Sequence, residues 1–79
     1  MTRNEILAGI NEIFIDTMDD KDIVLKETTQ AADIEEWDSI IHILLVVAIE
    51  KRFDIHFASN EIQNWKDISE IIDSISSKI

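Results

Sequence analysis

Glu35-Glu36-Trp37-Asp38-Ser39-Ile40-Ile41-His42 is the stretch that decides the fold of this chain. Asp38 reads as a helix N-cap, because its carboxylate can accept from the exposed amides of a first turn and faces the positive end of the helix dipole. The helix begins at Asp38-Ser39, passes through the unbroken apolar run Ile43-Leu44-Leu45-Val46-Val47-Ala48-Ile49, and ends near Phe53 after the polar Glu50, Lys51 and Arg52. A serine placed directly after the cap faces solvent, and the amides and dipole at that point favour a phosphate ester.

Working outward, Ile6, Ile10, Ile13, Phe14 and Met18 recur at helical spacing. Thr2 with Glu5 three residues on is a capping-box signature, so a first helix is expected from Arg3 to Thr17. Gly9 inside it costs about 1 kcal/mol relative to Ala and marks a close helix contact. From Asp19 to Asp38 the pattern breaks into isolated Ile23, Leu25 and Ile34 among polar residues. A connection this long within a small fold is expected to be functional, and the spaced aliphatics should reach back to the core and order it. Ser59-Asn60-Glu61 opens a short third helix carrying Ile62. Asp67 with Glu70 caps a last helix whose apolar stripe is Ile68, Ile71, Ile72, Ile75 and Ile79. No segment alternates with period two. The expectation is an all-α fold: a small four-helix bundle of three main helices and one short one, with a long loop between the first two, forming one domain over 1–79.

Composition excludes much else. The chain has 79 residues, 17 acids against 7 bases and a net charge of −10. A domain of this size buries only about 60% of the surface its unfolded chain exposes. It has no cysteine, which removes disulfides, thiolate metal sites and a cysteine nucleophile. Its hydrophobic fraction of 46% is too high for a disordered acidic tail. A strongly acidic chain without a basic cluster is a poor ligand for nucleic acid and is repelled by anionic membranes. There is no apolar stretch of membrane-spanning length and no signal-peptide pattern at Met1-Thr2-Arg3-Asn4-Glu5, so a cytoplasmic, monomeric protein with basic protein partners is expected. The Met start and completed last helix suggest a free-standing protein, and a domain cut from a larger protein would look much the same.

Asp38-Ser39-Ile40 resembles the Asp-Ser-Leu motif of acyl carrier proteins, with Ile in place of the common Leu. The surroundings agree: Glu35-Glu36-Trp37 before it, an apolar helix ending Ala48-Ile49-Glu50-Lys51-Arg52-Phe53, then Asp54-Ile55 and a terminal Ile-rich helix, so the resemblance covers nearly the whole chain. In that family the serine carries 4′-phosphopantetheine, donated by coenzyme A through a phosphopantetheinyl transferase. The terminal thiol then carries acyl groups as thioesters between enzymes of fatty-acid, polyketide or related assembly. The resemblance implies that Ser39 is the modified residue and that the chain is a carrier rather than an enzyme. Its implied partners are the transferase, an acyl-loading ligase or transferase, and downstream synthase enzymes. An aminoacyl or peptidyl carrier would share the fold and the serine. An unmodified acidic helical interaction module is the reading outside the class.

Charge points to the same place. Residues 16–38 hold nine acids and two bases, a net −7, whereas residues 39–79 hold six acids and four bases, a net −2. Acid piled up ahead of Ser39 suits steering by basic partners, with salt-sensitive association. Partner recognition is therefore assigned to Glu35, Glu36, Asp38, Ile40, Ile41, His42 and Leu44. The second helix departs from the family, whose outward face there is usually acidic. If Ile40, Ile43, Val46, Val47 and Phe53 form its core face, then Ile41, Leu44 or Leu45, and Ala48 lie at the margin or outside. They would line a pocket for an acyl chain or form a patch for a dedicated partner, and the sequence favours the patch. His42 shares a face with Ser39. Without a Gly-rich nucleophile turn the pair does not make a hydrolase, and His42 is expected as a surface residue near the arm. His42 and His56 are too few for a metal site. Trp37 and Trp65 are expected to pack the core or the loop, with Trp37 sheltering the arm.

Overall fold

Thr2 closes the first turn of the chain as its spacing from Glu5 predicts. The Thr2 hydroxyl accepts from the Glu5 amide at 3.2 Å and the Glu5 carboxylate accepts from the Thr2 amide at 2.9 Å, a reciprocal cap that holds the Glu5 carboxyl below its ordinary range. In the computed structural model, which describes residues 1–79, the helix so opened is α1, Arg3–Met18. It is followed by α2, Ser39–Phe53, α3, Ser59–Asn64, and α4, Ile68–Ser76, and there are no strands. Both α1 and α2 end on an aspartate in the left-handed region, Asp19 at φ 51° and Asp54 at φ 54°. A short polar side chain tolerates that conformation when no glycine is available.

One core joins the elements. α1 packs on α2 and α4, contributing Ile6, Ile10, Ile13 and Phe14, while α4 contributes Ile68, Ile71, Ile72 and Ile75. Ile79, read from its spacing as part of the α4 stripe, lies beyond the helix and is exposed, because α4 stops at Ser76. Gly9 of α1 lies against the Phe53 ring of α2: a Cβ there would stand 3.0 Å from Cζ of Phe53. A Cβ there would make the Phe53 ring give by a few tenths of an ångström, and the glycine leaves that room.

The long connection between α1 and α2 is ordered, and more structured than its sequence suggests. Leu25 is buried, and Ile23 and Ile34 pack against the core. A 3₁₀ turn, Ala31–Asp33, which the sequence does not announce, lies in the connection ahead of Ser39. The loop is also tied by polar groups: Asn11 of α1 accepts from the Leu25 amide at 2.6 Å and donates to the Ile23 carbonyl at 3.2 Å. The α4 start pairs with it, Ile68 N–H donating to Thr29 O and Ser69 N–H to Glu27 O. Arg3 binds Glu27 at 2.7 Å and Asp73 at 2.5 Å, joining the first helix, the loop and the last helix in one charged clasp. These two carboxylates raise the Arg3 pKa above its ordinary value.

Helix α2 presents a different face from the one the sequence suggested. Leu45, Val46 and Ile49 are buried, Ile41, Ala48 and Phe53 are half-buried, and Ile40, Ile43, Leu44 and Val47 are exposed at 70, 64, 50 and 43%. Ile40, Ile43 and Val47 are therefore not core residues. In a run that is apolar on every side the period that would select a face is missing, and the choice falls to contacts made from outside the helix.

Candidate functional site

Ser39 is the first residue of α2. Asp38 caps the helix, its Oδ1 accepting from the Ile41 amide at 2.9 Å while its carbonyl accepts from the His42 amide at 2.9 Å. The Ser39 side chain is left exposed at a helix start, where outward-pointing amides and the dipole favour an anion.

An open groove of about 690 Å³ begins at this serine, lined by Ala31, Trp37, Asp38, Ser39, His42, Ile43, Ile62 and Gln63. Its base is a ring stack. The Trp37 indole lies 5.8 Å from the His42 imidazole at 20°, and the Trp37 Nε1–H donates to His42 Nδ1 at 3.0 Å. Since Nδ1 accepts, the proton of neutral His42 sits on Nε2, 3.3 Å from the Ile62 carbonyl that it can reach as a donor. Behind the stack, Phe14 meets Trp37 edge-on at 5.1 Å, Trp65 meets His42 at 5.9 Å, and Phe57 meets Trp65 at 4.8 Å. Trp65 Nε1–H is also satisfied, by Ser74 Oγ at 2.9 Å. His42 is thus half-buried and engaged at both nitrogens, in place of the surface position expected for it. The polar ring is turned inward because two polar groups meet it there.

The remaining residues singled out from the sequence separate into three groups. Glu35 and Glu36 border an acidic depression of about 440 Å³ shared with Asp20, Asp22 and Asp33. Ile40 and Leu44 stand with Ile43 and Val47 on the exposed stripe of α2, a spacing of three and four that puts all four on one side. Ile41 packs against the core, which withdraws it from the outer surface. Ala31 and Gln63 line the groove without any sequence signal for doing so. Ile62 had only its place in the short helix to mark it.

Over 92% of its length the chain superposes on 84% of a holo acyl carrier protein from Geobacter metallireducens, whose structure was solved by solution NMR, with a TM-score of 0.86 and 37% sequence identity. The chain belongs to the acyl carrier protein family. A second relative, an acyl carrier protein of Thermosynechococcus vestitus, is 28% identical over 80 residues that span the whole of this chain and 98% of that protein. No family model matches. Membership in the family makes the chain a carrier and not an enzyme, and it accounts for the helical bundle with its long first loop. No helix of the carrier is long and apolar enough to cross a membrane.

Proposed function

We propose that Ser39 is the attachment point of 4′-phosphopantetheine and that residues 1–79 form one monomeric carrier unit of the cytoplasm. It would deliver acyl groups, as thioesters on that arm, to enzymes of fatty-acid, polyketide or related assembly. The observation that carries this reading is the exposed Ser39 hydroxyl at the head of α2, directly after the Asp38 cap and at the rim of an open groove. The residues fit the group: the hydroxyl is accessible, the helix start favours the phosphodiester, and the groove has room for an arm beside it. In loading, the Ser39 Oγ forms a bond to the phosphorus that bears pantetheine in coenzyme A. The bond to the bridging pyrophosphate oxygen breaks, adenosine 3′,5′-bisphosphate leaves, and the serine proton passes to a base on the transferase. The bound arm supplies a thiol that holds acyl groups at thioester reactivity.

Recognition falls to two surfaces around the serine. Glu35, Glu36 and Asp38 offer negative charge to basic enzymes, and Ile40 and Leu44 offer an apolar contact. Association would therefore weaken with salt without being abolished.

The test is an intact mass after incubation with coenzyme A, magnesium and a broad-specificity phosphopantetheinyl transferase. Wild type gains one phosphopantetheinyl group and Ser39→Ala gains none. Absence of the gain in wild type, with a transferase active on a control carrier, overturns the proposal.

A further inference from the structure

The groove at Ser39 has a closed base, and the closure is built from hydrogen bonds as well as rings. Trp37 from the approach loop, His42 from α2 and the Ile62 carbonyl from α3 form one latch, through Trp37 Nε1–H to His42 Nδ1 at 3.0 Å and His42 Nε2 to Ile62 O at 3.3 Å. Phe14, fully buried, stands edge-on beneath Trp37, and Trp65 stands edge-on to His42. An alkyl chain tethered at Ser39 could reach the core through this base only by parting the stack. That would break both hydrogen bonds of the latch and part the ring contacts behind it, leaving a half-buried indole N–H and a half-buried carbonyl to find other partners. Outside the latch the same tether meets the ring faces, the apolar side chains of Ile43 and Ile62, and the Gln63 amide, which can serve the amides of an arm.

We infer that the cargo of this carrier rides in the open groove over the Trp37–His42–Ile62 latch and stays outside the core. The ligand class is a pantetheine arm bearing a short or polar acyl group, whose thioester remains open to solvent and to enzymes. The inference rests on the reading of Ser39 as the attachment point. His42 acts here as a gate and not as a chemical group.

The test loads wild-type protein with acetyl- or octanoyl-phosphopantetheine from the corresponding acyl coenzyme A, and confirms each form by intact mass. Octanoyl loading should move the Trp37 indole N–H and the methyl resonances of Ile43 and Ile62, and leave the methyls of buried Ile10 and Ile72 where acetyl loading puts them. Hydroxylamine should cleave the two thioesters at rates within about twofold, since a thioester outside the core need not await local opening. Core methyl shifts on octanoyl loading, or octanoyl protection beyond twofold, overturn the inference while leaving Ser39 as the attachment point. Failure of mass gain removes both readings. His42→Gln can keep both hydrogen bonds, its carbonyl accepting from Trp37 and its amide donating to Ile62, and should match wild type. His42→Leu removes both and should slow octanoyl cleavage about tenfold by letting the chain in. A folded His42→Leu protein with an unprotected octanoyl thioester overturns the latch as the gate.

Discussion

Asn11 shows how a single side chain can pin one point of a twenty-residue connection. Placed among the aliphatic residues of α1, it reads as an ordinary polar position, yet its amide satisfies both the Leu25 N–H and the Ile23 carbonyl. That pair of bonds holds the loop at the point where Leu25 enters the core. Asn11→Leu keeps the volume and removes both partners, so it should destabilise the fold by about 1–2 kcal/mol, towards the lower end of the cost of leaving polar groups unmet because both bonds are only partly buried. Urea unfolding gives the magnitude. Amide exchange gives the place: protection at Leu25 should fall before protection in α1 does. His42 teaches the same lesson at the site. Its position three residues after Ser39 is visible in the sequence, but which way the ring turns depends on an indole five residues earlier and a carbonyl twenty residues later.

At the scale of the element, α2 is the helix whose existence was plain and whose orientation was not. Asp38 and Ser39 mark its start and the polar turn at Glu50, Lys51 and Arg52 marks its end, and the helix runs Ser39–Phe53. Between them the residues are so uniformly apolar that several rotations about the axis would bury a similar amount of hydrocarbon. The rotation realised puts Leu45 and Ile49 in and Ile43 out. This has a direct energetic consequence. Leu45→Ala should cost about 2–5 kcal/mol through lost burial and the cavity left behind. Ile43→Lys should change stability by less than about 0.5 kcal/mol, as surface substitutions do. Parallel urea titrations decide it, and a larger loss for Ile43→Lys than for Leu45→Ala would reverse the assignment of faces.

At the scale of the whole molecule, charge and capping act together. The net charge of −10 is concentrated ahead of Ser39, while three of the seven bases join distant segments: Arg3 to Glu27 and Asp73, Arg52 to Glu12, Lys78 to Glu61. Three carboxyls are held below their ordinary range: Glu5 by the Thr2 amide, Glu61 by the Ala58 amide and then Lys78, and Asp67 by the Ser69 hydroxyl. A carboxyl whose pKa is lower folded than unfolded stabilises the fold above its unfolded value. That contribution fades as pH falls through the folded value. The gap in Tm between wild type and Glu61→Gln should therefore be fully present at pH 7. It should begin to narrow as pH falls below the ordinary glutamate value of 4.5, and close below the lowered folded value. A gap that stays constant from pH 7 to pH 3 would show that the charge on Glu61 contributes nothing.

Local chemistry was legible in the sequence wherever it acts between near neighbours. The Thr2–Glu5 cap, the Asp38 start of α2, the isoleucine stripe of α4 and the serine at the head of a helix all depend on spacings of a few residues, and all could be read from the chain. Only the tertiary structure decided which side of α2 faces inward, how the long loop is tied through Asn11 and Arg3, and how Ala31, Ile62 and Gln63 come to line a groove with Ser39. The reason is physical. Periodicity selects a face only where polar and apolar residues alternate, so a helix apolar all round takes its rotation from the partners packed against it. A groove between segments likewise exists only once those segments have met.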